Sequence, residues 1–315
     1  CRGPWHRAVA RAKLSGGAVT VQFGDSVVFA AATMGNEPRV GQDFFPLTVE
    51  YEERMYAGGR IPGSFFRREG RPGTDAILVA RLTDRPLRPL FNNDIRNEVQ
   101  VIMFSLSADW ENPLDVLAIN AASCALMISD IPWGGPVGAV RVGRVNGEFV
   151  LNPTYAQIDE SNLDLRIAGT ADAILMVESG SNEIDEESMI AALEFGHAAI
   201  QPIVETQMQM AREIGKEKRE VTLYSLDETL VEKVYNRIAD EINTTLDTPH
   251  TKHELQDAID TLRDNIVVEY ADPENAEEIS EYKEAFEETY KRVVRARILD
   301  QNKRPDGRKL KEIRP

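Results

Sequence analysis

The character of this chain's apolar pattern changes near residue 222. Before that point the signals are mostly those of strands. Val19, Val21 and Phe23 alternate with Thr20 and Gln22, the period of a strand with one buried face. Gly24-Asp25 then supplies a turn and 26–31 a second β-rich run, which together predict a hairpin. Residues 45–52 (FPLTVEYE) and 99–107 (VQVIMFSLS) read as further strands. The Ala-, Leu- and Ile-rich run 112–129, opening on Asn112-Pro113, reads as a buried helix. The runs 137–142 and 149–151 flank Asn146-Gly147, a favoured hairpin turn. Residues 163–168 and 173–178 are two more strands, and 181–214 is one or two amphipathic helices carrying Met189, Ile190, Leu193 and Phe195.

After residue 222 no strand pair is legible. Leu230, Val234, Ile238 and Ile242 recur at i, i+4, as do Leu255 with Ile259 and Leu262 with Ile266. Thr248-Pro249 and Asp272-Pro273 separate the blocks, which predicts three or more packed helices. The expected fold is therefore an α+β core, β-sheets packed with helices and containing βαβ elements, followed by a small all-α domain. The expected division is 1–221 (halves at about 1–133 and 134–221), 222–300, and 301–315 as the turn-rich start of another domain around Arg304-Pro305-Asp306-Gly307-Arg308.

Composition narrows the function classes. With 315 residues and 42% hydrophobic content, the chain can bury a sizeable core, so wholesale disorder is excluded. No apolar run reaches the ~18 residues of a membrane helix. The longest, near 114–129, is broken by Asp115 and Asn120, so no membrane partner is expected. Two cysteines, Cys1 and Cys124, cannot build a disulfide framework or a Cys-rich zinc site. This fits a reducing, cytoplasmic compartment. The chain opens on Cys1 rather than Met and stops at Pro315 just after a new segment begins, and so reads as a piece of a longer protein.

The net charge of −16 would ordinarily repel nucleic acid, but the acid is unevenly placed. Residues 226–300 hold 9 Lys/Arg against 20 Asp/Glu, whereas 60–91 hold seven arginines against three acids. The segment 58–91 reads GGRIPGSFFRREGRPGTDAILVARLTDRPLRPLF. Its glycines and prolines predict a structured loop rather than a helix. Phe65 and Phe66 sit directly beside Arg67 and Arg68. Guanidinium forks bind phosphate bidentately, and exposed rings stack bases without regard to sequence. From residue types alone a second reading stands beside this one: core phenylalanines, with the arginines in surface ion pairs. The acidic faces of 226–300 read as solvated helix surface.

The run 41–91, GQDFFPLTVEYEERMYAGGRIPGSFFRREGRPGTDAILVARLTDRPLRPLF, resembles the first ribonuclease-PH-like core of the bacterial polynucleotide phosphorylase family, and SFFRREGRP is its most specific part. The resemblance extends through 97–101, Ile131-Pro132, 135–142, 149–154, Leu163-Asp164-Leu165, Ala168-Gly169-Thr170, 176–179 and Phe195-Gly196-His197. It covers all but the irregular stretch before Gly16, with 222–300 matching the family's helical linker more in position than in residues.

The resemblance implies a homotrimeric ring that degrades single-stranded RNA from its 3′ end. Inorganic phosphate is the co-substrate and nucleoside diphosphates are released. It implies Mg²⁺ (or Mn²⁺) held by a second core beyond this chain, and an RNA-degrading assembly with an endoribonuclease or helicase as a partner. It places Phe65, Phe66, Arg67 and Arg68 on the loop lining the RNA channel, with Arg71 on the same loop. It also implies that this core is the non-catalytic copy. Aligned on Ala168-Gly169, the family's metal-binding aspartates fall on Ala156 and Asn162, and its Ser-rich phosphate loop is replaced by Glu111-Asn112-Pro113-Leu114-Asp115. No catalytic and no metal-ligating residue is therefore assigned in this chain.

Asp159, Glu160 and Asp164 read as a solvated turn, His197 as a packing or capping residue, Cys124 as a buried small hydrophobe, and Gly16-Gly17 as a turn. Two competitors stay open. One is a non-catalytic ribonuclease-PH-like ring subunit that binds and guides RNA. The other is an acidic helical adaptor working through 226–300.

Overall fold

The structure is a computed structural model that describes residues 5–8, 12, 14–38, 44–63, 69–248 and 250–313. Two compact units divide at Leu223 and Tyr224.

The first unit holds two sheets. In the first, β1 (Trp5–Ala8), β2 (Gly17–Phe23) and β3 (Ser26–Pro38) run antiparallel. β3 pairs antiparallel with β5 (Asn97–Ser107), and β4 (Leu47–Glu53) closes the other edge parallel to β5. A parallel neighbour needs a crossover, and α1 (Thr74–Leu87) supplies it between β4 and β5. This is the expected βαβ element. Strict alternation along β3 buries Val28, Ala30, Ala32 and Met34, and β5 answers with Val99, Val101 and Met103.

The second sheet has the order β7-β6-β8-β9, all antiparallel, from β6 (Gly138–Val145), β7 (Glu148–Leu151), β8 (Leu163–Gly169) and β9 (Ile174–Ser181). The β6–β7 turn is Asn146-Gly147 at φ 51° and 84°, the left-handed pair a tight hairpin needs. Helix α2 (Asp115–Ile128) packs on both β2–β3 and β6, and all its residues but Met127 are buried. Such a helix shows no amphipathic stripe because it has no solvent face. Its polar residues join the sheet: the Asn120 amide bonds both backbone groups of Ala139 at 2.8 and 2.9 Å. Helix α4 (Glu186–Ile214) covers β6 and β8 as one continuous helix.

The second unit is three helices, α5 (Glu228–Asp247), α6 (Lys252–Tyr270) and α7 (Ala276–Gln301). Each begins on a side-chain cap: Asp227, Thr251 in a reciprocal pair with Glu254, and Asn275. The i, i+4 residues Val234, Ile238 and Ile242 face Ile259, Ile266, Phe286 and Val293 in its core.

Four expectations are corrected. The segment 58–91 is not all loop. Gly73 is the last of its glycines, and 74–87 forms α1, with its single Pro86 in the final turn. Residues 155–160 form a short helix, α3 (Tyr155–Glu160), because Thr154 and Gln157 make a capping box. Gly17 opens β2 rather than a turn. A Cβ there would lie 2.2 Å from the Ala125 carbonyl, so its bareness lets α2 approach the sheet. Asp164 is no solvated turn residue but lies on β8. Cys124 is buried as expected, and burial pushes its thiol up to about 12.

Candidate nucleic-acid interface

Phe65, Phe66, Arg67 and Arg68 lie outside the described residues, but both stems of their loop are placed. On the entering side, β4 runs into a 3₁₀ turn, Met55–Gly58, ended by Gly59 in the left-handed region. The Arg60 N–H returns to the Met55 carbonyl at 2.9 Å. On the leaving side, Glu69 reaches back across the loop. Its carboxylate accepts from the Met55 N–H at 2.8 Å and from Arg54 Nη1 at 2.9 Å. The Met55 hydrogen bond, and then Arg54, hold this carboxyl below its ordinary value. The nine residues between Gly59 and Glu69 are thus bracketed at the neck by one side chain. Sequence reading missed Glu69 because a lone Glu inside an arginine run looks like charge balance, not a clasp.

The seven arginines of 60–91 divide. Arg85 pairs with Glu178 at 2.6 Å, and Arg88 pairs with Asp84 at 2.6 Å while donating to the Leu47 carbonyl. For these two the ion-pair reading is the right one. Arg60, Arg71 and Arg81 are exposed, and none forms a salt bridge among the described residues. The Arg60 guanidinium lies 5.4 Å from the centroid of Trp110, a cation–π contact. Arg71 stands at the bend leading into α1.

Trp110 was not anticipated. It occupies the loop after β5 at φ 63° and is 64% exposed. Asp109 staples this loop, accepting from the N–H groups of Glu111 and Asn112 at 3.0 and 2.9 Å and from the Asn112 amide at 2.7 Å. Burial works to raise the Asp109 carboxyl, and these hydrogen bonds outweigh it and hold it below its ordinary value. The signal available in the sequence was only a Trp beside Asp-x-x-Asn.

The region aligned with the family's phosphate loop and metal aspartates holds a different device. Arg141 on β6 grips Asp164 on β8 bidentately at 2.6 and 2.8 Å and reaches Asp115, at the start of α2, at 3.4 Å. Arg166 on β8 pairs with Asp115 at 2.6 Å and Asp164 at 3.4 Å. The register places Arg141 opposite Arg166, so two guanidinia share two carboxylates. Ala156 and Asn162 are exposed and carry no carboxylate, and no three metal-ligating side chains cluster among the described residues. A divalent cation would have to displace the buried Arg141 and the half-buried Arg166 here, so the residues present do not fit one. Asp159 and Glu160 are exposed on α3. His197 is half-buried, with Nε2 at 3.2 Å from the Thr170 carbonyl, a packing role.

Comparison with known proteins adds three matches. Residues 9–132 match the family model described as "3′ exoribonuclease family, domain 1", 135–199 match its "domain 2", and 229–309 match "Polyribonucleotide nucleotidyltransferase, RNA binding domain". A polyribonucleotide nucleotidyltransferase of Thermus thermophilus is 49% identical over 313 residues, and one of Heliobacterium modesticaldum 46% over 304. Each alignment covers 96% of this chain and 43% of the relative, so the chain spans less than half the length of the curated relatives it matches. Among solved structures, rice (Oryza sativa) Rrp46 aligns with a TM-score of 0.55 at 18% identity, covering 67% of this chain and 95% of that one. The Archaeoglobus fulgidus exosome with RNA bound to the active site aligns at 0.52 and 18%, covering 65% and 88%. These likenesses show the fold alone.

Proposed function

The chain belongs to the 3′ exoribonuclease family, of the polyribonucleotide nucleotidyltransferase kind, and from that premise we propose that it is part of a phosphorolytic 3′–5′ exoribonuclease. In this reading the chain supplies the RNA-channel loop and the scaffold of a homotrimer in the cytoplasm. Residues 1–221 form the first ribonuclease-PH-like core, 222–300 the helical domain, and 301–315 lead into a second core. Phe65 and Phe66 stack bases of single-stranded RNA, and Arg67, Arg68 and Arg71 hold its phosphates.

The observation that carries the reading is the clasped loop. Glu69 fixes its neck while Arg60 and Arg71 have no carboxylate partner among the described residues. Exposed guanidinia without counter-charges are what a polyanion neutralises, and each phosphate contact releases bound cations.

Inorganic phosphate and Mg²⁺ belong to chemistry outside this chain. Phosphorolysis sets a phosphate nucleophile beside a phosphodiester, and a divalent ion offsets the crowded charge. Here the aligned positions, Ala156 and Asn162, carry no carboxylate, and Asp115 and Asp164 in the same region are already neutralised by Arg141 and Arg166. This chain's own contribution is to bind and orient the strand. The test is phosphate-dependent release of nucleoside diphosphate from poly(A). The 315-residue chain should bind poly(A) without releasing product, and robust release would overturn the assignment.

A further inference from the structure

Exposing a large ring costs stability, and so does holding a non-glycine residue in the left-handed region. Trp110 does both, at φ 63° and 64% exposure. Its surroundings keep it there. Asp109 staples the loop through three hydrogen bonds. The Ala108 N–H bonds the Ala57 carbonyl at 2.9 Å, and the Tyr155 N–H bonds the Glu111 carbonyl at 3.0 Å. A Cβ on Gly58 would lie 2.7 Å from Trp110 Cζ2, so the indole edge rests on bare backbone. Such over-determination of an unfavourable position points to a use for the ring.

The ring borders a cavity of about 310 Å³ that Arg54, Arg60, Ser105 and Tyr155 also line. That volume lies at the small end of ligand sites and suits one nucleotide. The Arg54 guanidinium is committed to Glu52 and Glu69. Arg60, over the indole, forms no salt bridge among the described residues. Burial, and then the charge of Asp115, raise the Tyr155 phenol above its ordinary value, so it remains a hydroxyl donor at neutral pH.

We propose that Trp110 and Arg60 form a second nucleotide-binding position, in which a base stacks on the indole and its phosphate meets the Arg60 guanidinium. Aromatic stacking accepts any base, so the ligand class is a nucleotide unit, either within single-stranded RNA or free as a nucleoside mono- or diphosphate. The position rests on the RNA reading above for its biological ligand but uses none of residues 65–68.

The test titrates the 315-residue chain with fluorescein-labelled oligo(A) and, separately, with AMP and ADP, following anisotropy for the first and heat release in isothermal titration calorimetry for the others. Trp110→Gly relieves the backbone strain, so its melting temperature should match or exceed that of the parent. Its affinity for at least one probe should fall by roughly tenfold, and Trp110→Phe should recover most of the loss. Loss with oligo(A) alone identifies an RNA position, and loss with AMP or ADP alone a free-nucleotide position. If Trp110→Gly leaves every affinity unchanged while a Phe65→Ala/Phe66→Ala variant loses oligo(A), the RNA reading stands and this proposal falls. If AMP binding depends on Trp110 and no variant or parent binds oligo(A), the proposal stands and the RNA reading falls. Absence of all binding by the parent overturns both.

Discussion

Two sets of arginines within the first unit meet opposite fates. Arg141 and Arg166 are drawn into strands β6 and β8 and share Asp115 and Asp164 between them. Arg60, Arg71 and Arg81 stand exposed around the 59–69 stretch and α1, and form no salt bridge among the described residues. The first set is internal neutralisation, whose worth lies in the cost of breaking it. The second set forms no salt bridge among the described residues. The same residue type therefore closes one region and leaves the other open for a polyanion, and a net charge of −16 conceals the distinction.

The sharpest way to break the comparison is to unpair the buried set. Arg141→Met strands Asp115 and Asp164 with Arg166 as their one remaining guanidinium, and should destabilise the first unit by about 3 kcal/mol in urea unfolding. A cost near zero would mean that the network is solvated and that the two sets are alike.

An intermediate case lies in the second unit. The buried Arg297, and then Lys303, hold the Asp247 carboxyl well below its ordinary value. Because the folded value lies below the unfolded one, the pairing contributes fully above about pH 4 and is lost as pH falls through the folded value. Circular dichroism of Asp247→Asn should therefore show a shallower acid transition of the helical unit than the parent, with the two curves converging at low pH. A parallel offset at every pH would remove the electrostatic cause. The smallest stability effect belongs to the open set. Arg71→Ala/Arg81→Ala should shift the melting free energy by no more than about 0.5 kcal/mol, and a larger loss would reveal an internal role.

Much of the fold was legible because local period and packing agree. The hairpins at Gly24-Asp25 and Asn146-Gly147 follow from alternation with a turn pair between. The i, i+4 residues of 230–242 follow from a helix that has one core to face. α1 was hidden because the glycines of 58–73 colour the reading of the residues after them. Asp164 was misread because its partner Arg141 is distant in sequence and arrives through strand register, which no local pattern records. Trp110 and Glu69 were missed for a related reason. An indole resting on Gly58 and a carboxylate clasping Met55 are contacts of folded geometry. The Phe65–Arg68 run was legible as chemistry, and it lies outside the described residues.

The central claim, that the open arginine–aromatic loop and not the paired arginines carries single-strand RNA binding, is tested most directly by the salt dependence of oligo(A) affinity. Arg67→Ala/Arg68→Ala should weaken binding and flatten the slope of log affinity against log salt by about 1.4, two phosphate contacts at ~0.7 each for a single strand. An unchanged affinity and slope would contradict the account and return the loop to a structural role.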